Sequence, residues 1–522
     1  MLNRRAVLAA APMLMLAGAG AARAAPRVAT SAGPVVGAWD GPVAVFRGLR
    51  YGRDTRLDRF APPRLPEPWS APVEAVAYGP ACPQAGSHTG TSEDCLFLNV
   101  WTPGLDDARR PVLVYIHGGG YATGSGSDPL YDGTRLARRR DAVVVTLNHR
   151  LGPLGYAYLA RLAPGFEASG NAGQLDLILA LTWIRDNIAR FGGEPGCVTV
   201  FGQSGGGAKI ATLMAMPGAA GLFHRALTMS GQQVTASGPI NATRRATTWL
   251  EGLELTPEQA AAVRTLPVER LIAAGRRTDP VLGYGGVYFG PVLDDDALPR
   301  HPFYPDAPAQ SARIPMIIGQ TAEETLAFLG NDPRNAGLTW ETLPQRLTPE
   351  QLRIDVAPET VIAAYRRMRP DLSPDQVLIA ATTAGRSWRA ALIELELRAA
   401  QDAPTWAYQL DLPARLPSGR TGAYHTADIP LMFDNIGAPG SGYAAEDLRG
   451  DAQVVADALG ETLIAFARDG VPPAQGPLGP WPQYRLPDRA TMILDRTSHV
   501  ALDPRGDERR FFARIPYVQP GT

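Results

Sequence analysis

Lysine is almost missing from this chain: Lys209 is the only one in 522 residues, so arginine supplies the other 49 of the 50 basic side chains. An excess of charge is missing too, since 51 Asp+Glu leave a formal net charge of −1. A nucleic-acid binder draws its affinity from basic side chains that displace counterions, and no nucleic-acid partner is expected here. A disordered, solvating chain needs few apolar residues and a large net charge; with 45% hydrophobic residues this chain has neither property. Cysteine occurs three times, and neither C-x-x-C nor H-E-x-x-H is found, so no zinc or other metal site is expected. No run reaches the roughly 20 strongly apolar residues that cross a bilayer, which argues against a stable membrane anchor. Glycine and proline are abundant, at 55 and 48 residues. Their share stays below the roughly 25–30% of low-complexity chains, so the chain reads as a loop-rich globular protein.

The first segment reads as an address. Asn3-Arg4-Arg5 precedes an uncharged stretch from Ala6 to Ala22, and Ala22-Arg23-Ala24 has the small-x-small form of a cleavage site. Residues 1–24 are expected to be a cleaved export signal of the twin-arginine or the general secretory kind. The mature protein, residues 25–522, then belongs in the periplasm or outside the cell. A disulfide closing the polar loop between Cys82 and Cys95 would contribute about 3 kcal/mol in such a compartment. Cys197 opens an apolar run and reads as a buried thiol without chemistry.

Three β-branched runs ending in turn residues, Pro111–Ile116, Ala142–Leu147 and Val198–Phe201, read as buried strands. Between the second and third, Gly173–Ile188 carries apolar residues at helical spacing, and strand, helix, strand implies a parallel sheet. Ile314–Ile318 and Thr405–Leu410 read as later strands. Thr256-Pro257, Thr348-Pro349 and Ser373-Pro374 each place a capping hydroxyl before a proline at the first helical position. Helical insertions are accordingly expected at about 235–310 and 325–400 of a single domain.

Directly after the third strand stands Gly202-Gln203-Ser204-Gly205-Gly206, a G-x-S-x-G pattern where a strand turns into a helix. A serine hydroxyl is a poor nucleophile until a base takes its proton, and the oxyanion it creates needs preorganised N–H donors. His117-Gly118-Gly119-Gly120, after the first strand, has the bare backbone such donors require. Acid and base follow the nucleophile in chain order in this arrangement. Of the later histidines, His425 sits in a glycine-rich loop after the Thr405–Leu410 strand, while His224 and His301 come too early and His499 stays in reserve. Glu323 and Glu324 follow the Ile314–Ile318 strand, and position alone does not separate them. The single lysine lies five residues past Ser204, which excludes a Ser-x-x-Lys dyad.

These segments, together with Ser92-Glu93-Asp94-Cys95, Phe191-Gly192-Gly193-Glu194-Pro195, Phe289–Asp294, Gly422–His425 and Trp481–Tyr484, resemble the type B carboxylesterase family. The resemblance runs from about residue 30 to Tyr484. It implies an α/β-hydrolase fold, with a mostly parallel twisted sheet, and a serine hydrolase of small-molecule esters that needs no cofactor. By motif position it makes Ser204 the nucleophile, His425 the base and Glu324 the acid, with N–H donors from Gly119, Gly120 and Gly205. It also pairs Cys82 with Cys95. The family usually has Glu before the serine and Ala after it; here Gln203 and Gly205 stand in their places. Gln203, Lys209 and Ser230 are expected to surround the triad. A lysine in a buried helix needs a partner, either a local carboxylate or an anionic group of the substrate. Tyr284, Tyr288, Phe328 and Phe433 are expected near the pocket. Amide or lactone cleavage by the same residues, and a binding protein on the same scaffold, are the rival readings.

Overall fold

The computed structural model describes residues 23–86 and 90–519. The expected export signal lies almost wholly outside them. Eleven strands form one sheet: β1 Ala38–Asp40, β2 Val43–Arg50, β3 Phe97–Thr102, β4 Arg110–Ile116, β5 Val143–Leu147, β6 Gly193–Gln203, β7 Arg225–Met229, β8 Met316–Thr321, β9 Thr405–Leu410, β10 Ala490–Leu494 and β11 His499–Leu502. Their spatial order is β11-β10-β9-β8-β7-β6-β4-β5-β3-β2-β1. From β5 across to β10 all neighbours run parallel; β1 to β3 at one edge and β11 at the other are antiparallel.

The central strands are buried on both faces, as parallel strands covered by helices must be. Along β4, Val112, Val114 and Ile116 enter one core while Leu113 and Tyr115 enter the other, the period of two that a pleated strand imposes. Helix α1, Ala172–Asn187, makes the crossover between β5 and β6, and α2, Gly205–Leu213, begins one residue past Ser204. Strand β6 starts earlier than its apolar run, at Gly193, because the chain pairs with Arg110 across a register irregularity in β4. Strand β8 starts later, at Met316, since Pro315 has no N–H to give the ladder.

The capping signals do what their chemistry dictates. Thr256 with Gln259 and Ser373 with Gln376 form reciprocal capping boxes, and the Thr348 side chain accepts from the N–H of Gln351. Helices occupy Pro239–Glu251, Pro257–Arg264 and Val268–Ala274, and later Pro358–Met368, Pro374–Thr383 and Arg389–Ala399. Residues 275–308 carry no helix and run as irregular backbone, at odds with the expected insertion. No helix among the described residues is long and apolar enough to cross a membrane.

Ion pairs, two of them buried, tie the loops to this frame. Arg59 meets Glu93 at 2.6 Å and Arg50 meets Asp94 at 2.6 Å, so the acidic pair of the Ser92-Glu93-Asp94 motif is structural. Arg150 after β5 pairs with Asp176 of α1 at 2.7 Å with both side chains buried.

Cys82 and Cys95 are both buried and stand here as thiols, with no disulfide between them. Each thiol stays within hydrogen-bonding contact of the other, and Cys82 Sγ accepts the N–H of Leu151 at 3.2 Å. Cys197 is half-buried and its thiol donates to the Ala467 carbonyl at 3.0 Å.

Candidate active site

The carboxyl ends of five parallel strands converge on one cleft. Ile116 leads into the His117–Gly120 loop, Gln203 into Ser204, Met229 into Ser230, Thr321 into Glu324, and Leu410 into the loop that carries His425. Open parallel sheets place their ligands at these strand ends. A cavity of about 250 Å³ opens there, lined among others by Gly120, Ser204, Gly205, Ser230, Glu324 and His425.

Ser204 sits at φ 55° and ψ −126°, a conformation that costs a non-glycine residue of order 1–3 kcal/mol. It is held there by its N–H, which donates to the Met229 carbonyl at 2.7 Å, and by its carbonyl, which accepts from Ala208 at 3.1 Å. The turn is possible because the residues after it are glycines. A Cβ on Gly206 would stand 1.9 Å from the Ile116 carbonyl oxygen, and one on Gly205 2.1 Å from that of Gly120.

Glu324 and His425 form the tightest polar contact in the cleft, with Oε2 and Nδ1 2.5 Å apart. The other oxygen of Glu324 accepts the N–H of Thr321 at 2.9 Å, so the carboxylate is held at both ends. Glu323 points elsewhere: it accepts the N–H of Ala423 at 3.0 Å and pins the histidine loop. The remaining histidines are committed to scaffolding. His224 and His301 accept backbone N–H groups of Val198 and Ala236, and His499 lies exposed on β11. Among the described residues the Ser204 hydroxyl makes no side-chain hydrogen bond. The Nε2 of His425 is met by the Gln203 amide nitrogen at 3.1 Å.

Gly119 and Gly120 have φ of 84° and 61°, conformations that favour glycine. No acceptor among the described residues takes their N–H groups, and Gly205, the first residue of α2, has no intrahelical acceptor for its own. Ser230 lines the cleft at φ 52°, with its hydroxyl buried and unpartnered.

Lys209 fits neither of its expected roles. It is fully buried, does not line the cavity, and has no carboxylate beside it among the described residues; its ammonium donates to the His117 carbonyl at 3.0 Å and faces the Tyr121 ring at 5.7 Å. Burial pulls its pKa down to about 7. His117 and His149 stack beside it with centroids 4.9 Å apart, and burial holds His149 well below its ordinary value.

Of the four aromatic residues, Tyr288 and Phe328 line the cleft. Tyr284 packs instead under Arg353, and Phe433 is core, 5.0 Å from Tyr115 and 5.3 Å from Phe201 between ring centroids. Arg386 and Gln519 are among the cleft residues not foreseen, and so is Asp428, buried behind Glu324 and outside the cavity lining. Asp428 accepts the Tyr408 hydroxyl at 2.8 Å, and burial beside Glu324 pushes it up to about 6. An Asp three residues past His425 is the only sequence signal that could have marked it. Among the described residues no group of three His, Cys, Asp or Glu is disposed to hold a metal ion.

Residues 24–512 match the model of the carboxylesterase family. The chain is 33% identical over 494 residues to the para-nitrobenzyl esterase of Bacillus subtilis, covering 92% of this chain and 97% of that protein. It is 34% identical to the phenmedipham hydrolase of Pseudarthrobacter oxydans, covering 91% and 96%. A solved carboxylesterase of Geobacillus stearothermophilus superposes with a TM-score of 0.82 at 33% identity, over 93% of this chain and 99% of that one.

Proposed function

The chain belongs to the carboxylesterase family and hydrolyses carboxylic esters, and from that premise we propose that it does so by two-step acyl transfer through Ser204, His425 and Glu324. Ser204 Oγ attacks the ester carbonyl carbon while His425 Nε2 takes its proton. Glu324, on Nδ1, orients the ring and stabilises the imidazolium. The N–H groups of Gly119, Gly120 and Gly205 receive the oxyanion. Collapse of the tetrahedral intermediate breaks the ester C–O bond, and His425 returns the proton to the departing alcohol. Water, deprotonated by the same imidazole, then attacks the acyl-serine carbonyl; the bond to Ser204 Oγ breaks, His425 returns the proton to that oxygen, and the acid is freed. This uses only side chains, backbone N–H groups and water.

The observation that carries the reading is the 2.5 Å contact between Glu324 and His425 in the same cavity as the strained Ser204. The test is hydrolysis of 4-nitrophenyl acetate, butyrate and octanoate beside Ser204→Ala. Loss of the nucleophile should lower kcat by about 10⁴–10⁶; equal rates in the two proteins would refute the assignment.

We further propose that the chain is exported as one domain from residue 25, to the periplasm or medium, and that Cys82 and Cys95 oxidise there. Their adjacency as buried thiols supports the pairing. Thiol titration of the unfolded, exported protein should find one free cysteine; three would overturn it.

A further inference from the structure

Resting on the esterase reading above, we propose that this cleft accepts esters that themselves carry a carboxylate, and that Arg386 binds that group. Arg386 is the one permanent cation among the residues lining the cavity. The only carboxylate on the same wall, Glu324, is committed to His425.

The placement of Arg386 is built into the backbone. Residues Ala384–Trp388 form a single wide turn of π-helix between Pro374–Thr383 and Arg389–Ala399. Such a turn inserts one residue into the helical register and often marks a functional site. Here it presents Arg386 and Ser387 to the cavity while Ala384, Gly385 and Trp388 stay buried. Gly385 anchors it: a Cβ there would meet the Leu352 carbonyl oxygen at 2.1 Å.

The cation has no ion-pair partner among the described residues. Arg150 sits on Asp176 and Arg245 on Asp279; the buried Arg398 and Arg389, which have no ion pair among the described residues, donate instead to backbone carbonyls. Among the described residues Arg386 faces the Phe328 ring, 5.5 Å from its centroid, and donates to the Gln351 side-chain oxygen at 3.4 Å. No carboxylate among the described residues lies within ion-pair distance of it. Its neighbour Arg353 is equally unpaired and rests on Tyr284. Burial and the Arg353 charge pull the Arg386 pKa down to about 10, against a smaller opposing influence of Tyr284 and Glu350. Phe328 spans the gap to the reaction centre, its ring 5.2 Å from that of His425. An ester held over Phe328 would thus reach Ser204 at one end and Arg386 at the other. A guanidinium with free N–H groups takes a carboxylate through paired, charge-assisted hydrogen bonds.

The carboxylate can lie on the acyl or on the alcohol side, and two matched pairs distinguish them. For the acyl side the pair is 4-nitrophenyl hydrogen glutarate and 4-nitrophenyl pentanoate; for the alcohol side it is 3-(butanoyloxy)benzoate and phenyl butanoate. Arg386→Met should lower kcat/KM for the anionic member of one pair about 10–100-fold relative to its neutral member, chiefly through KM. Arg386→Lys, which keeps the charge but not the paired geometry, should fall between. Raising the salt to 1 M should narrow the wild-type ratio. An anionic-to-neutral ratio unchanged within threefold in both pairs would overturn the proposal. So would an equal fall of both members, which marks a structural arginine. Neutral-ester turnover that disappears in Ser204→Ala keeps this test separate from the esterase reading: the anion site can fail while that turnover stands.

Discussion

The Gln203 side-chain nitrogen lies 3.1 Å from the Nε2 of His425, the ring nitrogen that takes the proton of Ser204 in the proposed mechanism. Because Nδ1 gives its hydrogen to Glu324, Nε2 carries the lone pair, and the amide is the donor. Amide and serine hydroxyl therefore compete for one acceptor. A net hydrogen bond of about 0.5–1.5 kcal/mol sets the handicap. Gln203→Met, of similar volume, should raise kcat for 4-nitrophenyl butyrate about 2–10-fold. A tenfold fall would show that the amide instead holds the imidazole where it is needed.

The two adjacent glutamates make a sharper contrast. Glu324→Gln keeps the size but loses the charge facing Nδ1, and kcat should drop about 10³–10⁴-fold. Glu323→Gln still accepts the Ala423 N–H and should change kcat less than tenfold. Steady-state kinetics on one ester decides between them, and the reverse order of effects would exchange their roles.

How far the sequence discloses this site depends on whether a signal is local. Strands β4 and β5 are legible because burial on both faces demands unbroken Val, Ile and Leu; β1 and β11 are three and four residues long, partly exposed, and carry no such run. Ser204 is legible because its strained turn demands glycines at fixed offsets. The choice between Glu323 and Glu324 is not, since both fit the loop and only the bridge from Glu323 to Tyr424 turns one away from the imidazole. Arg386 is hidden for another reason: the π turn breaks the 3.6-residue period, so no helical projection of 374–399 puts it in the cleft. Lys209 was conspicuous as the sole lysine, yet its partner is a carbonyl from β4's exit loop, distant in sequence and invisible to pattern.

Lys209 makes stability depend on pH in a stated direction. Its pKa falls from 10.5 unfolded to about 7 folded, so the folded state disfavours the proton. The cost is absent above about pH 10.5, grows as pH falls, and is complete below about pH 7, reaching at most about 5 kcal/mol. Lys209→Met should therefore raise the urea-unfolding free energy most at pH 6.5 and least at pH 10, offset by about 1 kcal/mol for the lost bond to His117. A gain that is flat with pH would disprove the buried charge. Since Lys209 does not line the cavity, the anionic-to-neutral substrate ratio should stay as in the parent.

Glu394 behaves in the opposite sense. It is fully buried, accepts the Gln233 N–H at 2.8 Å through one oxygen and leaves the other unpaired. Burial lifts its pKa from 4.5 to about 8, so stability is lost progressively as pH rises from about 4.5 to 8. Glu394→Gln keeps the acceptor and removes the ionisation. Its thermal midpoint should match the parent near pH 4.5 and exceed it at pH 8.5; a gain at pH 4.5 as large as at pH 8.5 would contradict the assignment.

Gly205 carries the last prediction, because here the family resemblance and the geometry pull apart. The family usually has alanine after the serine, and alanine in a helix is ordinarily worth about 1 kcal/mol over glycine. In this chain a Cβ at 205 would stand 2.1 Å from the Gly120 oxygen and 2.5 Å from its Cα. Both are backbone atoms, so the contact is relieved only by moving the loop that carries Gly119 and Gly120. Those are two of the three proposed oxyanion donors, and a displacement of about 1 Å in such a group costs on the order of 10²-fold in rate. Gly205→Ala should therefore lower kcat about 10²-fold, leave KM within a few-fold, and fail to raise the thermal midpoint. An alanine variant that is both more stable and equally fast would mean that the 118–120 loop yields freely, and that its close approach to α2 has no part in holding the oxyanion.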